Sequence, residues 1–206
     1  MARVVGVESP QLFAVRDELE AATERARRLV EHHDAAALRR MTSVGGWSAL
    51  QCLTHLSLTT ENYLPLLARA VADAPSARGS LRFGIGLMPR LLLWSLEPPY
   101  RRRFGTQPAF EPRTENDAKA TLASFEVFQD ALLLVLEQFD GKALDRVPIV
   151  SPFNERLRYN ALAALRILAA HERRHLWQAE RAAAGEPMRR RAWPGSSPRA
   201  GRQNGI

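Results

Sequence analysis

Two histidines four residues apart, His171 and His175, carry the strongest chemical signal in this 206-residue sequence. They lie in AALRILAAHERRHLWQAERA, a helical pattern in which a spacing of four stacks both imidazoles on one face, one turn apart. That face is the apolar stripe of Leu157, Ala161, Ala164 and Leu168, with Gln178 continuing it. The intervening Glu172, Arg173 and Arg174 are expected to point outward. Buried imidazoles need partners for their ring nitrogens, and a borderline-soft divalent cation serves both rings at once. The competing possibility is a hydrogen-bonded histidine pair in the core. The segment also matches H-E-x-x-H letter by letter, which would make Glu172 the general base of a metallopeptidase. Such a site needs a third ligand downstream or a strand-edged cleft, and only a basic tail follows, so the peptidase is disfavoured.

A third ligand has to come from another helix. His55, in WSALQCLTHLSLTTENY, is the remaining histidine in a helical interior, and Ser48, Gln51, Thr59 and Asn62 accompany it at helical spacing. These polar residues form either a solvated face or the lining of a polar cavity inside one end of a bundle. Leu53, Leu56 and Leu58 leave no face fully polar, and periodicity does not choose. His32 and His33 are adjacent, which turns them about 100° apart on a regular helix, so they read as surface or helix-end residues. Cys52, one turn before His55, reads as a small buried hydrophobe rather than a nucleophile. Trp47 and Trp177 are expected to pack beside the site.

Four helical segments must position these groups. The first runs from about Pro10 to Met41, with apolar positions at Leu12, Val15, Leu19, Ala22, Ala26, Leu29 and Val30, and Gly45–Gly46 breaks the chain after it. The second runs from about Ser48, a plausible N-cap, to Val71 on a stripe of Cys52, Leu56, Thr59, Tyr63, Leu66 and Ala70, with a kink or break expected at Pro65. The third starts after Thr114, which pairs with Asp117 as a capping box, and buries Leu122, Phe125, Phe128 or Gln129, Leu132, Leu136 and Phe139 before Gly141. The fourth runs from about Asn154 to Ala184 and stops at Gly185 and Pro187. DRVPIVSP is the nearest thing to a strand. The fold class is therefore all-α: a four-helix bundle with a long crossover between helices 2 and 3, about Ala72 to Arg113, holding a short helix in Phe83–Leu96. Short first and third connections favour antiparallel neighbours.

Composition narrows the function classes. With 46% hydrophobic, 25% charged and 7% aromatic residues, the chain is too apolar for a disordered protein, and its length suits one domain. A single cysteine excludes an internal disulfide and a thiolate-rich metal site, and suits the reducing cytoplasm. The expected organisation is a bundle domain over 1–185 and a basic, disordered Pro/Gly/Arg-rich tail over 186–206. Five arginines after Met188 supply most of the net +7, and without them the body carries +2, so nucleic acid is not an expected partner. The Arg101–Arg103 run reads as a solvated loop in preference to a contact for an anionic thiol cofactor, and Trp94 with Leu91, Leu92, Leu93 and Leu96 as a cap on the core in preference to a cover for a pocket or partner surface. The N-terminus is charged too soon for a signal peptide, and Phe83–Leu96 is too short and too interrupted to span a membrane.

WSALQCLTHL in the second helix and LAAHERRHLWQAERA in the fourth resemble the DinB-like superfamily, in its DinB_2 or DfsB-like branch, related to YfiT-type metal-dependent hydrolases. The shared pattern is Trp-Ser, then Gln and His-Leu, then His-x-x-x-His followed by Gln. The resemblance implies His55, His171 and His175 as ligands of a divalent metal, zinc or nickel above others, in a bundle that often dimerises. It also implies a small-molecule substrate and a low-molecular-weight thiol cosubstrate: characterised relatives look like S-transferases using mycothiol, bacillithiol or glutathione. Three neutral ligands leave the cation its full charge and an open position, which suits acidifying a thiol or a water, in a transferase or a hydrolase. Gln51, Asn62 and Gln178 could then orient ligands or substrate, and Glu61 or Glu172 accept a proton. The alternative is a metal-binding or helical interaction protein without catalysis.

Overall fold

The computed structural model describes residues 9–41, 46–78, 82–99, 105–112 and 117–187. The basic tail from residue 188, Thr114 and the Arg101–Arg103 run lie outside them. The described residues form six helices: α1 (Pro10–His32), α2 (Ala35–Leu38), α3 (Ala49–Asp73), α4 (Leu87–Leu96), α5 (Ala118–Gln138) and α6 (Ala161–Ala183). A 3₁₀ turn covers Pro108–Phe110, and strands β1 (Pro148–Ser151) and β2 (Asn154–Asn160) form an antiparallel hairpin.

The long helices α1, α3, α5 and α6 pack as a bundle. α3 and α1 each pack against both α5 and α6. Consecutive long helices therefore face each other across the bundle, α1 opposite α3 and α5 opposite α6, instead of forming the neighbouring pairs that short connections suggest. The α1 stripe is buried as its periodicity predicts, from Leu12 to Leu29. α1 ends at His32, however, and Asp34 caps the separate turn of α2 by accepting a hydrogen bond from the Ala37 amide at 2.7 Å. A self-contained cap of this kind starts a new helix in place of continuing the old one.

α3 opens on a capping box. Ser48 Oγ accepts from the Gln51 amide at 3.2 Å, and Gln51 Oε1 accepts from the Ser48 amide at 3.0 Å. The helix runs through Pro65 without the break that is one expected outcome there. Pro65 lies on the exposed side, where water can satisfy the carbonyl that its missing N–H leaves unpaired. Leu67, rather than Leu66, completes the buried stripe. α5 starts on Asp117 itself, whose carboxylate accepts from the Ala120 amide at 2.9 Å, so Asp117 is the cap and not its N3 partner.

The largest departure concerns residues 154–160, expected as the first turns of the last helix. They pair with 148–151 in the register Ile149–Tyr159 and Val150–Arg158. Ile149, Ser151 and Tyr159 turn inward, and Asn160 caps α6 through Ala163 N at 2.9 Å. The hairpin packs on α3 and α6. Tyr63 of α3 and Tyr159 of β2 share a hydrogen bond between their hydroxyls, with Ser151 bonding both. The crossover between α3 and α5 holds the expected short helix, α4, on α6. On α4, Leu96 is buried while Trp94 and Leu91 are exposed, so the stretch covers the core only in part. No helix among the described residues is long and apolar enough to cross a membrane.

Candidate metal centre

His55 comes from the second turn of α3, and His171 and His175 from the middle of α6 and the turn that follows. The bundle brings a ligand atom from each within 4.8 Å of the others, and all three residues are buried. Ring centroids are 5.0 Å apart for His55–His171, 4.5 Å for His55–His175 and 4.4 Å for His171–His175. The polar residues around His55 line the interior: Ser48 and Thr59 are buried, Gln51 and Asn62 half-buried.

The tautomer of His55 follows from its neighbour. Its Nδ1 lies 2.7 Å from the Phe110 carbonyl, which can only accept, so Nδ1 carries the proton and Nε2 the lone pair. That Nε2 faces His171 Nε2 at 3.3 Å. Two bonds of about 2.0–2.1 Å to one tetrahedral cation hold their nitrogens about 3.3–3.4 Å apart, so this pair fits a first-row divalent ion. The Nδ1 atoms of His171 and His175 are buried and make no hydrogen bond with the described residues. The donor set and its spacing therefore fit a divalent metal.

Electrostatics keep the rings neutral, as ligation requires. Burial pushes His55 down to about 4, against the opposing pull of the Phe110 carbonyl. Burial also drives His171 well below its ordinary value, aided by the charges of His55 and Arg174. His175 falls the same way through burial, His171, His55 and Arg174, and a hydrogen bond with Gln178 opposes the shift.

The expectation that Glu172 and Arg174 point outward is overturned. Glu172 is 1% exposed and Arg174 5%. Glu172 accepts from Gln129 Nε2 of α5 at 2.8 Å, and burial raises its carboxyl to about 8 despite that bond and the nearby Arg173. Arg174 Nη1 donates to the Ser95 carbonyl at the end of α4, at 3.4 Å. Arg173 bridges Glu18 of α1 and Glu97 beyond α4. Between the two histidines of α6, Arg173 and Arg174 fasten the crossover to the helix.

The other candidate residues are dispersed. The Gln51 carbonyl serves the α3 cap, Asn62 donates to the Leu58 carbonyl at 2.8 Å, Glu61 is exposed, and Gln178 adjoins His175. Cys52 is buried, and its thiol is pushed up to about 12 by that burial. His32 and His33 bond carbonyls one turn back at the end of α1, away from the centre. Trp47 packs on the site, 4.6 Å from His55 and 5.8 Å from His175. Trp177 instead lies under Arg181, 5.3 Å from ring to guanidinium. Phe110 and Phe153 had no signal in the sequence. Phe110 acts through its backbone carbonyl, and Phe153, 5.4 Å from His171, is delivered by the unforeseen hairpin.

Comparison with curated proteins and with solved structures finds no match. The family model DinB_2, of the DinB superfamily, matches residues 18–179, which include all three histidines. That span is well over half of the 206 residues, and the chain belongs to the DinB superfamily.

Proposed function

We propose that this chain is a metal-dependent enzyme: a four-helix bundle of DinB-like type that holds zinc or nickel on His55, His171 and His175 and acts on a small-molecule electrophile. The single observation carrying this reading is the convergence of three buried, neutral imidazoles from two helices. When bound, the cation supplies Lewis acidity that lowers the pKa of a thiol or water at its open position. The chain's own residues do the rest. The Phe110 carbonyl fixes the tautomer of His55. Burial excludes water and keeps the imidazoles unprotonated. Gln51, Asn62, Glu61 and Gln178 are the candidate catalytic side chains, and Gln178, bonded to His175, has the best support. A low-molecular-weight thiol is the proposed cosubstrate, with the cytoplasm as location and a homodimer as the assembled form.

The test is turnover of an activated aryl halide or an epoxide by zinc- or nickel-loaded protein, with mycothiol, bacillithiol or glutathione added in turn. Thiol-dependent turnover that disappears in His55→Ala supports the transferase. Hydrolysis of an activated ester without thiol, lost in the same variant, supports the activation of water. Metal-loaded protein inactive in every combination would contradict an enzymatic role.

A further inference from the structure

We infer that the open position of this metal centre is reached between Trp47 and Phe153, and that these two rings select molecules carrying an aromatic or other flat apolar group beside the metal-binding atoms. The inference rests on the metal-centre reading above and names the substrate class for that site.

The argument starts from access. His55 is 3% exposed, and His171 and His175 keep 8% each. A small molecule can reach them only past side chains that both touch the histidines and meet solvent. Among the described residues, the half-buried side chains that the structure places against the triad include Gln178, bonded to His175, and two rings, Trp47 and Phe153, and the rings supply the apolar walls. Phe110, 1% exposed, forms a closed floor behind His55.

The two rings take different sides of the histidine triangle. Trp47 lies along the edge between His55 and His175, and its plane is 30° from that of His175. Phe153 lies against His171, with centroids 5.4 Å apart. Both are held from behind. Trp47 packs on the apolar cluster of Leu29, Leu50, Cys52 and Ala179. Phe153 sits in the turn between β1 and β2, its carbonyl accepts from Gln107 Nε2, and its ring packs on Phe110 at 4.4 Å and on Tyr63 at 5.9 Å. Walls fixed before binding lose little freedom when a ligand enters. Aromatic walls favour a flat apolar guest through area burial and ring geometry.

The test compares two hydroxamates that chelate through the same atoms, acetohydroxamate and benzohydroxamate, binding to cobalt-loaded protein in calorimetry. Affinities are taken relative to those for the aqueous ion. The wild type is expected to favour the phenyl compound by about tenfold or more. The preference should fall below about threefold in both Trp47→Leu and Phe153→Leu, with metal content unchanged, and persist in Trp47→Phe. A wild-type preference below about threefold, or one undiminished in either leucine variant, overturns the inference. Protein that takes up no cobalt overturns the metal-centre reading and the inference together, whereas protein that takes up cobalt without preferring the phenyl group overturns the inference alone.

Discussion

Three imidazoles whose ligand atoms lie within 4.8 Å of one another cannot all be cationic in a buried site. Burial and mutual repulsion push them to the neutral form, and the Phe110 carbonyl leaves His55 Nε2 facing inward as a lone pair. The neighbouring Cys52 shows the opposite use of burial. Its thiol is pushed up to about 12, far from the thiolate that reacts or ligates. Native protein at pH 8 should therefore resist alkylation by iodoacetamide, while protein unfolded in guanidinium reacts at once. Mass spectrometry reads the difference, and rapid labelling of the folded chain would disprove the assignment. Cys52→Ser should likewise leave the metal content unchanged, since the sulfur supplies no ligand.

At the scale of elements, α3 and α6 set the site, and the hairpin and crossover close it. The hairpin's attachment to α3 runs through Tyr63, Tyr159 and Ser151. Tyr63→Phe should cost about 1–3 kcal/mol in denaturant unfolding, because the Tyr159 hydroxyl loses a buried partner. Burial raises both phenols above their ordinary value of 10. A group whose folded pKa exceeds its unfolded one stabilises fully below the unfolded value and loses that contribution as pH rises through the folded one. Stability should thus decline above pH 10, and the Tyr63→Phe, Tyr159→Phe double variant should flatten the decline. An equally steep decline in the double variant would contradict the assignment. These elements were unequally legible in the sequence. The α1 stripe, the Ser48 cap, the His171–His175 face and the α5 stripe from Phe125 onward follow from local periodicity and are found where it puts them, while at the start of α5 Thr121 is buried in place of Leu122. Residues 154–160 are polar and aromatic with no clear period, and their strand state is decided by pairing with 148–151 across a two-residue turn rather than by a periodicity of their own. Glu172 and Arg174 misled for a related reason. Charge suggests solvent, but Gln129 from α5 and the Ser95 carbonyl from the crossover are partners contributed by distant parts of the chain.

Across the whole molecule, the histidines lie between two apolar regions. One end of the bundle is closed by Leu29, Leu50, Cys52, Ala179 and Ala183, and the other by Tyr63, Leu67, Leu132 and the first turns of α6. A cation at the centre would tie α3 to α6 at the level where polar groups interrupt the core. Binding to the folded state alone should stabilise it by about 2.7 kcal/mol at a hundredfold excess over Kd. In a chain of this size that raises Tm by roughly 5–10 °C, reversed by chelator and read by differential scanning calorimetry. An unchanged Tm at saturating metal would argue against coupling between site and fold. The most direct measurement is elemental analysis of protein prepared without a histidine tag, after gel filtration, for the wild type and for His55→Ala and His171→Ala. The account predicts about one divalent ion per chain in the wild type and almost none in either variant. A metal-free wild type after zinc or nickel has been offered, or variants that keep the ion, would contradict it.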